Sequence, residues 1–485
     1  LAHKKKKYMT PFDLLSWFVM VGYVLLISIT VTVLVLENRQ PAKTVAWVLL
    51  LVVVPVVGWI IFYFFGQNVR KEKYIEKQAY DQLNRKIPES EREYRISRRP
   101  EAYKRVIEFN YQRSRAVLTH DNQVNLMWQG KDFIDQLLAD IESAQHHIHV
   151  QTYILEDDDV GRRVVRALAK KAEQVSVRLL YDDVGCWNMP KHFLDSLRIA
   201  KGETQAYMPV RFRSLTHRAN YRNHRKVVVI DGHIGYVGGM NLAQRYMGTP
   251  NSVWRDAHMR IVGSAVTDLQ RVFVTDWYFA SNQMPYDSHY FPAHFSAESP
   301  NADDVKIQII WANPVSDYPN IMYSLTWMIQ NARRYFYLQT PYFMPSESVL
   351  QALCVAAQSG VDVRVMVPKK PDALLLRWGN DSYVEDALRA GIRVFVYEAG
   401  FLHSKCAVAD DDWCTIGSSN MDQRSFDNNF EINAFVYDEG VAKQVREQFF
   451  KDAKHCRELN LKEWKRRPFY KKCMESVTRI VSPVL

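Results

Sequence analysis

The chain has 485 residues, 47% hydrophobic and 24% charged, with 63 Lys+Arg against 53 Asp+Glu for a formal net charge of +10. These are ordinary globular values that exclude a disordered chain, a collagen and a small disulfide scaffold, and the length suits about two to four domains. The charge is unevenly spread: residues 1–115 carry a net +10, residues 457–485 a net +5, and residues 116–456 a net −5.

No charged residue occurs from Leu14 to Leu36 or from Thr44 to Val69, and a membrane-spanning helix needs roughly 20 apolar residues. The pattern predicts a two-helix transmembrane hairpin within 1–69, with spans of about 14–36 and 44–66. A cleaved signal peptide fits poorly, because the apolar run is long and a second follows at once. Lys4–Lys7 precede the first span and Arg70, Lys71, Lys73 and Lys77 follow the second, against Arg39 and Lys43 between them. The positive-inside rule then puts both termini in the cytoplasm. Trp17, Trp47, Trp59, Tyr63 and Phe64-Phe65 are expected near the span ends or along them, and Pro55 with Gly58 to kink the second helix.

Residues 70–115 read as a charged helical linker. Beyond it, the six cysteines lie far apart with no C-x-x-C spacing, which predicts neither disulfides nor a zinc site. An internal repeat follows. Asn223-His224-Arg225-Lys226 to Asp231, then Gly238-Gly239-Met240-Asn241, is matched by His403-Ser404-Lys405 to Asp410, then Gly417-Ser418-Ser419-Asn420. His149 to Tyr153 echoes Tyr337 to Tyr342, and Val175 to Leu180 echoes Val361 to Met366, in the same order. Self-similarity of this kind marks repeated structural units, here 116–295 and 296–456. Helical patterns at 133–144, 160–174, 321–332, 346–358 and 382–390 alternate with short strands at 148–154, 175–181, 335–340, 361–367 and 392–397, which predicts an α/β fold.

The motif suits phosphoryl chemistry. His224 and Lys226 are two residues apart, so on a strand they leave one face. Asp231-Gly232 reads as a turn that brings the glycines and Asn241 back toward His224. Glycine lets a backbone approach phosphate, lysine supplies charge, and asparagine donates from its amide. Of two facing histidines, one can attack phosphorus while the other handles the proton of the leaving or entering alcohol.

The doubled motif resembles the signature of the phospholipase D superfamily. With the two spans, Thr340-Pro341-Tyr342-Phe343, Asn429-Phe430-Glu431-Ile432 and the segment from Arg467-Pro468 to Leu485, the chain is similar to the bacterial cardiolipin synthases within it. The resemblance implies two pseudo-symmetric phospholipase D-type sheet-and-helix units packed together. It implies a catalytic signature of His224, Lys226, Asp231, His403, Lys405 and Asp410, with His224 as nucleophile and His403 as acid. Lys226, Lys405, Asn241 and Asn420 are implied on the phosphate, and Asp256 and Glu431 as the acids that orient the histidines; Glu431 lies 11 residues after Asn420, whereas Asp256 lies 15 after Asn241. Asp231 and Asp410 occupy turn positions and are expected to hold the hairpins rather than do chemistry. Gly239 stands where the second copy has Ser418, so one hydroxyl donor is lost in the first.

The implied reaction moves a phosphatidyl group from one phosphatidylglycerol to another through a phosphohistidine, giving cardiolipin and glycerol, with no cofactor and no metal. The implied setting is a bacterial cell membrane with the catalytic domain in the cytoplasm. The partners are phosphatidylglycerol and anionic lipid; no nucleic acid is expected, and self-association is left open. Another phosphatidyltransferase, a phospholipid hydrolase or a nuclease are the alternatives, the last disfavoured because the basic excess lies on the flanks.

Outside the motifs, His146, His147 and His149 are expected to be solvated or strand-packed, Asp157-Asp158-Asp159 to form a turn, and Cys406 to be core. Asp182-Asp183 ends a strand near the site and is a candidate for substrate contact, while Tyr342-Phe343 and Phe401-Leu402 are candidates for channel lining or core. The segment 457–485 has Phe469, Cys473, Val477, Ile480 and Val484 at helical spacing opposite Lys471, Lys472 and Arg479. It fits an interfacial helix on anionic lipid and a helix docked on its own core equally.

Overall fold

The computed structural model describes residues 10–36, 41–54, 56–66, 103–210, 221–249, 253–285, 287–292, 304–314, 316 and 318–481. Two compact units emerge, one of residues 1–68 with 483–485 and one of residues 69–482.

In the first unit, α1 (Pro11–Leu36) is 26 residues long and apolar enough to cross a membrane. Most of its large side chains, Trp17, Phe18, Val24 and Ile29 among them, are exposed. The single helix expected over 44–66 is two, α2 (Pro41–Val53) and α3 (Val57–Phe65), with Val56 between them at φ 67°. Pro55 lies outside the described residues; Leu51 O and Val56 N flank it. The Tyr23 hydroxyl of α1 donates to that carbonyl at 3.4 Å and accepts from Val56 N at 3.1 Å. The break is thus satisfied from within, as an apolar setting demands. Leu34, Trp47, Leu51 and Phe62 are buried and pack the three helices together.

The first described element of the second unit is α4 (Lys104–Ser114), which takes up the end of the linker expected over 70–115 and buries Val106 and Ile107 in the core; the linker before it lies outside the described residues. Then come β1 (Thr119–Met127), α5 (Gly130–Ser143), β2 (His147–Thr152), α6 (Asp159–Ala172), β3 (Ser176–Asp182), α7 (Asp195–Ile199), β4 (Glu203–Tyr207), β5 (Val227–Ile230), β6 (Ile234–Gly238), β7 (Val253–Arg255), β8 (His258–Val262) and α8 (Val266–Ser281). The later half runs β9 (Val305–Ala312), α9 (Asn320–Asn331), β10 (Tyr335–Gln339), β11 (Phe343–Met344), α10 (Glu347–Gln358), β12 (Asp362–Pro368), α11 (Leu374–Arg389), β13 (Arg393–Tyr397), β14 (Gly400–Leu402), β15 (Cys406–Ala409) and β16 (Trp413–Gly417). It ends with β17 (Met421–Asp422), α12 (Gln423–Asp427), β18 (Glu431–Tyr437), α13 (Glu439–Ala453), β19 (Cys456–Glu458), α14 (Leu461–Lys465) and α15 (Phe469–Val481).

Fifteen strands form one sheet in the order β19-β13-β12-β10-β15-β16-β18-β9-β1-β8-β6-β5-β2-β3-β4. Parallel neighbours need crossover helices, and α6 serves β2–β3, α10 serves β10–β12 and α11 serves β12–β13. Antiparallel pairing of β9 with β1 joins the two halves at the centre. The motif strands β5 and β15 are wholly buried and lead from the site into that sheet.

Asp231 and Asp410 end those strands with positive φ, 53° and 57°. The Asp231 carboxylate accepts from Gln145 N, His146 N and His147 N at 2.8, 2.7 and 2.9 Å. Asp410 does the same for Arg333 N, Arg334 N and Tyr335 N at 2.6, 2.8 and 2.9 Å. Each motif aspartate therefore anchors the start of the neighbouring strand, β2 or β10, and its oxygens are spent on backbone donors. Asp231→Ala should cost on the order of 3 kcal/mol, the scale of losing charge-assisted bonds to partly buried donors. Thermal unfolding should show a Tm lowered by several degrees, with activity per folded molecule far above that of His224→Ala; equal loss in the two variants would contradict the anchoring role.

Candidate active site

His224 and Lys226 stand just before β5, and His403 and Lys405 just before β15, in extended segments rather than on the strands expected. Each segment is clamped to the other half of the chain. His224 N donates to Phe430 O and Phe430 N to Arg222 O, both at 2.9 Å. β14, which leads into His403, pairs in parallel with β7, and His403 N donates to Arg255 O at 2.7 Å. Residues 430 and 255 immediately precede Glu431 and Asp256.

The orienting acids consequently cross over. His224 Nδ1 lies 3.0 and 3.1 Å from the two Glu431 oxygens, and His403 Nδ1 lies 2.7 Å from Asp256 Oδ2. Burial pushes both carboxyls up, but their interactions with His224, Lys226 and Ser418 at Glu431, and with Lys405, His403 and Ala257 N at Asp256, outweigh it and hold both below their usual range. Ionised acceptors place the ring hydrogen on Nδ1 and leave the Nε2 lone pair for chemistry. Burial lowers both imidazoles to about 4, against the pull of the carboxylates, so both are neutral near pH 7.

The lysines differ. Lys405 Nζ lies 2.8 Å from His403 Nδ1, 2.9 Å from its Nε2 and 2.5 Å from its carbonyl oxygen. Lys226 Nζ donates to His224 O at 2.5 Å and stands 5.2 Å from the Tyr153 ring centroid, and His224 Nε2 has no hydrogen-bond partner among the described residues. Burial brings Lys405 to about 8 and Lys226 well below its ordinary value. Tyr153 meets His224 edge-on at 4.9 Å, and Tyr246 and Trp254 flank His403 at 5.8 and 5.7 Å.

The Gly239/Ser418 difference has a local cause. Ser418 Oγ donates to Glu431 Oε2 at 2.5 Å and Asn429 Nδ2 to Oε1 at 3.2 Å, so the hydroxyl serves the acid. At Gly239 a Cβ would collide with the Asp256 carboxylate. The shorter acid sits directly on the glycine, and no room remains for a serine.

Buried ion pairs not anticipated from sequence brace the motifs. Arg225 donates to Asp276 at 2.6 and 2.7 Å, to Glu431 O at 3.2 Å and to Ala312 O at 3.0 Å. Gln151 and Asn223 complete the Asp276 cluster. In the later half Ser404 replaces the arginine, and Arg255 reaches Asp452 at 2.9 Å alongside Gln339 at 2.7 Å. The repeat Gln151/Gln339 was visible in sequence, but nothing there linked it to aspartates on distant helices.

Asn241 Oδ1 accepts from Ile154 N at 3.0 Å and its amide donates to Tyr246, while Asn420 Oδ1 is buried without a partner among the described residues. Asp182 receives Asn223 N at 3.0 Å, Val184 N at 3.0 Å, Gly185 N at 2.8 Å and Arg222 at 3.4 Å, so it holds the motif's approach instead of facing a ligand. Asp183 accepts from Val210 N at 2.8 Å. His147 and His149 are buried on Gln270, Asp158 caps α6, and Cys406 is core. All six cysteines are free. Phe343 is core, whereas Phe401 stacks at 5.7 Å on His403.

A buried sheet that presents two His-x-Lys segments, each with a carboxylate from the opposite half, defines a phospholipase D-like protein. The chain belongs to the family described as cardiolipin synthase, PLD-like domain, whose model matches residues 137–277 and 325–453; residues 24–67 match the phospholipase D-nuclease N-terminal family. The major cardiolipin synthase ClsA of Bacillus subtilis (strain 168) is 38% identical over 474 residues, 96% of this chain and 98% of that protein. Cardiolipin synthase 1 of Staphylococcus aureus (strain COL) is 37% identical, with 96% of each chain covered. The crystal structure of phosphatidylserine synthase from Haemophilus influenzae Rd KW20 has a TM-score of 0.59 at 14% identity, covering 75% of this chain and 95% of that one, and shares the fold.

Loss of an orienting carboxylate should abolish chemistry without unfolding. Glu431→Gln should lower kcat on the order of 10²–10⁴-fold, the scale of a general acid or base, with an unchanged Tm; a change below about threefold would contradict the role.

Proposed function

We propose that this chain is a membrane-bound cardiolipin synthase that transfers a phosphatidyl group from one phosphatidylglycerol to another. The observation that carries the reading is the pair of histidines with carboxylate-held Nδ1 atoms, in a chain whose relatives are named cardiolipin synthases over nearly its whole length. His224 Nε2 attacks phosphorus of the first lipid and forms a P–N bond while the P–O bond to its headgroup glycerol breaks. The leaving alkoxide takes the one proton held by the His403–Lys405 pair, delivered through His403 Nε2. The glycerol hydroxyl of a second phosphatidylglycerol then attacks phosphorus, His403 takes its proton, and the P–N bond breaks. Cardiolipin and free glycerol result, and the enzyme is regenerated. Lys226, Lys405, Asn241 and Asn420 stabilise the phosphoryl oxygens.

The open Nε2 of His224 supports its role as nucleophile. The proton needed at His403 is supported by its neighbour: Lys405, near 8, shares it, and the two titrate as a unit. Residues 116–295 and 296–456 act as pseudo-symmetric units, each supplying one histidine and the acid for the other. In the membrane unit, α1 spans once and α2 with α3 return, which leaves both termini on the basic, cytoplasmic side.

Purified protein incubated with phosphatidylglycerol in detergent micelles should release glycerol and cardiolipin in equal amounts; no cardiolipin would overturn the assignment. The dependence of kcat/KM on pH follows from the groups named. His224 must be neutral, so activity is lost as pH falls through about 4, and the His403–Lys405 pair must hold one proton, so it is lost as pH rises through about 8. A profile with its acid limb centred near 6.5 would contradict this.

A further inference from the structure

The C-terminal helix α15 is bound to the body by its polar side. Glu475 and Thr478 are 4% and 1% exposed, and Arg479 pairs with Asp386 of α11 at 2.6 Å. Arg467 joins Glu475 at 2.6 Å and Glu385 at 3.8 Å. The opposite side is apolar and open: Phe469, Tyr470, Val477 and Ile480 are 81%, 64%, 57% and 59% exposed, and Cys473 lies among them. At 100° per residue these five side chains fall on one arc. This is the reverse of a helix docked on its own core, which buries its apolar stripe.

Basic residues border that face. Lys465, Arg466, Lys471 and Lys472 form no ion pair among the described residues, and the segment 457–485 is net +5. A second copy meeting the same face about a two-fold axis would set these like charges against each other, whereas an anionic lipid surface complements them. The helix packs on α11, from which a chain of contacts leads to the site. Thr478 and Met344 close on Gly379 of α11. Met344 follows Tyr342, whose hydroxyl donates at 2.7 Å to Asp372, a carboxylate whose charge acts on Lys405.

We propose that α15 is a lipid-docking helix whose Phe469, Tyr470, Cys473, Val477 and Ile480 face enters the headgroup–acyl boundary of an anionic leaflet and holds the rim of the active site at the lipid surface. It is a contact additional to α1, and it stands whichever lipid the site produces. Apolar burial supplies the attraction and the basic border sets the lipid preference.

The test uses the full chain in nanodiscs containing phosphatidylglycerol, with a nitroxide on native Cys473 and Cys354 and Cys456 replaced by alanine. A label at Arg166→Cys, exposed on α6, is the aqueous reference. Collision rates with oxygen and with a water-soluble nickel chelate report immersion without any need for turnover. Docking requires the Cys473 label to be shielded from nickel at least severalfold relative to the reference and enriched in oxygen contact, and Val477→Asp with Ile480→Asp to abolish the difference. Equal nickel access at both labels overturns the proposal, as does spin–spin broadening between Cys473 labels with no lipid immersion, which identifies a contact between copies.

Discussion

The site depends on a crossed pair of hydrogen bonds: the acid that fixes each histidine belongs to the other half of the chain. An imidazole 9% or 8% exposed cannot hold a chosen tautomer without a partner for Nδ1, and here that partner comes with its own backbone clamp, Phe430 against Arg222 and Arg255 against His403. Neither half alone holds a histidine together with its carboxylate. The continuous sheet across β18, β9, β1 and β8 therefore sets the distance between the two chemistries as well as the core, since sliding at the β9–β1 seam would pull both acids off both rings.

Much of this is legible in the amino-acid order, and the exceptions have physical reasons. The doubled His-x-Lys pattern, the helices near 133–144 and 346–358 and the strands near 361–367 follow from local periodicity and appear within a few residues of their expected bounds. The family resemblance singles out Glu431 and Asp256, but spacing along a chain says nothing about which ring a carboxylate reaches across an interface. The unequal spacing of 11 and 15 residues accompanies a second difference that only geometry explains: a short Asp on a glycine in one half, a longer Glu held by Ser418 in the other. The buried Arg225–Asp276 and Arg255–Asp452 pairs escape for the same reason. They join residues 51 and 197 apart, a separation at which local sequence gives no sign of pairing.

The apolar ends of the chain follow one rule, that backbone polar groups need partners where water is scarce. The expected second span is broken, and the break is tolerable because Tyr23 of α1 supplies the donor and acceptor that residues 51 and 56 lack. At the other end, α15 fits neither of the two patterns its sequence offers in pure form. It is docked on the protein, through its charges, and its apolar stripe still points outward. The opening +10 resolves accordingly into basic flanks around an acidic body, with the flanks beside apolar surface and the body around the phosphoryl chemistry.

The crossed carboxylates are best tested by ¹⁵N NMR of the histidine rings, with His224 and His403 assigned from single His→Gln variants. The account requires Glu431→Gln to move the Nδ1 resonance of His224 and leave that of His403 nearly in place, and Asp256→Asn to do the converse. Each histidine responding to the acid of its own half would contradict it.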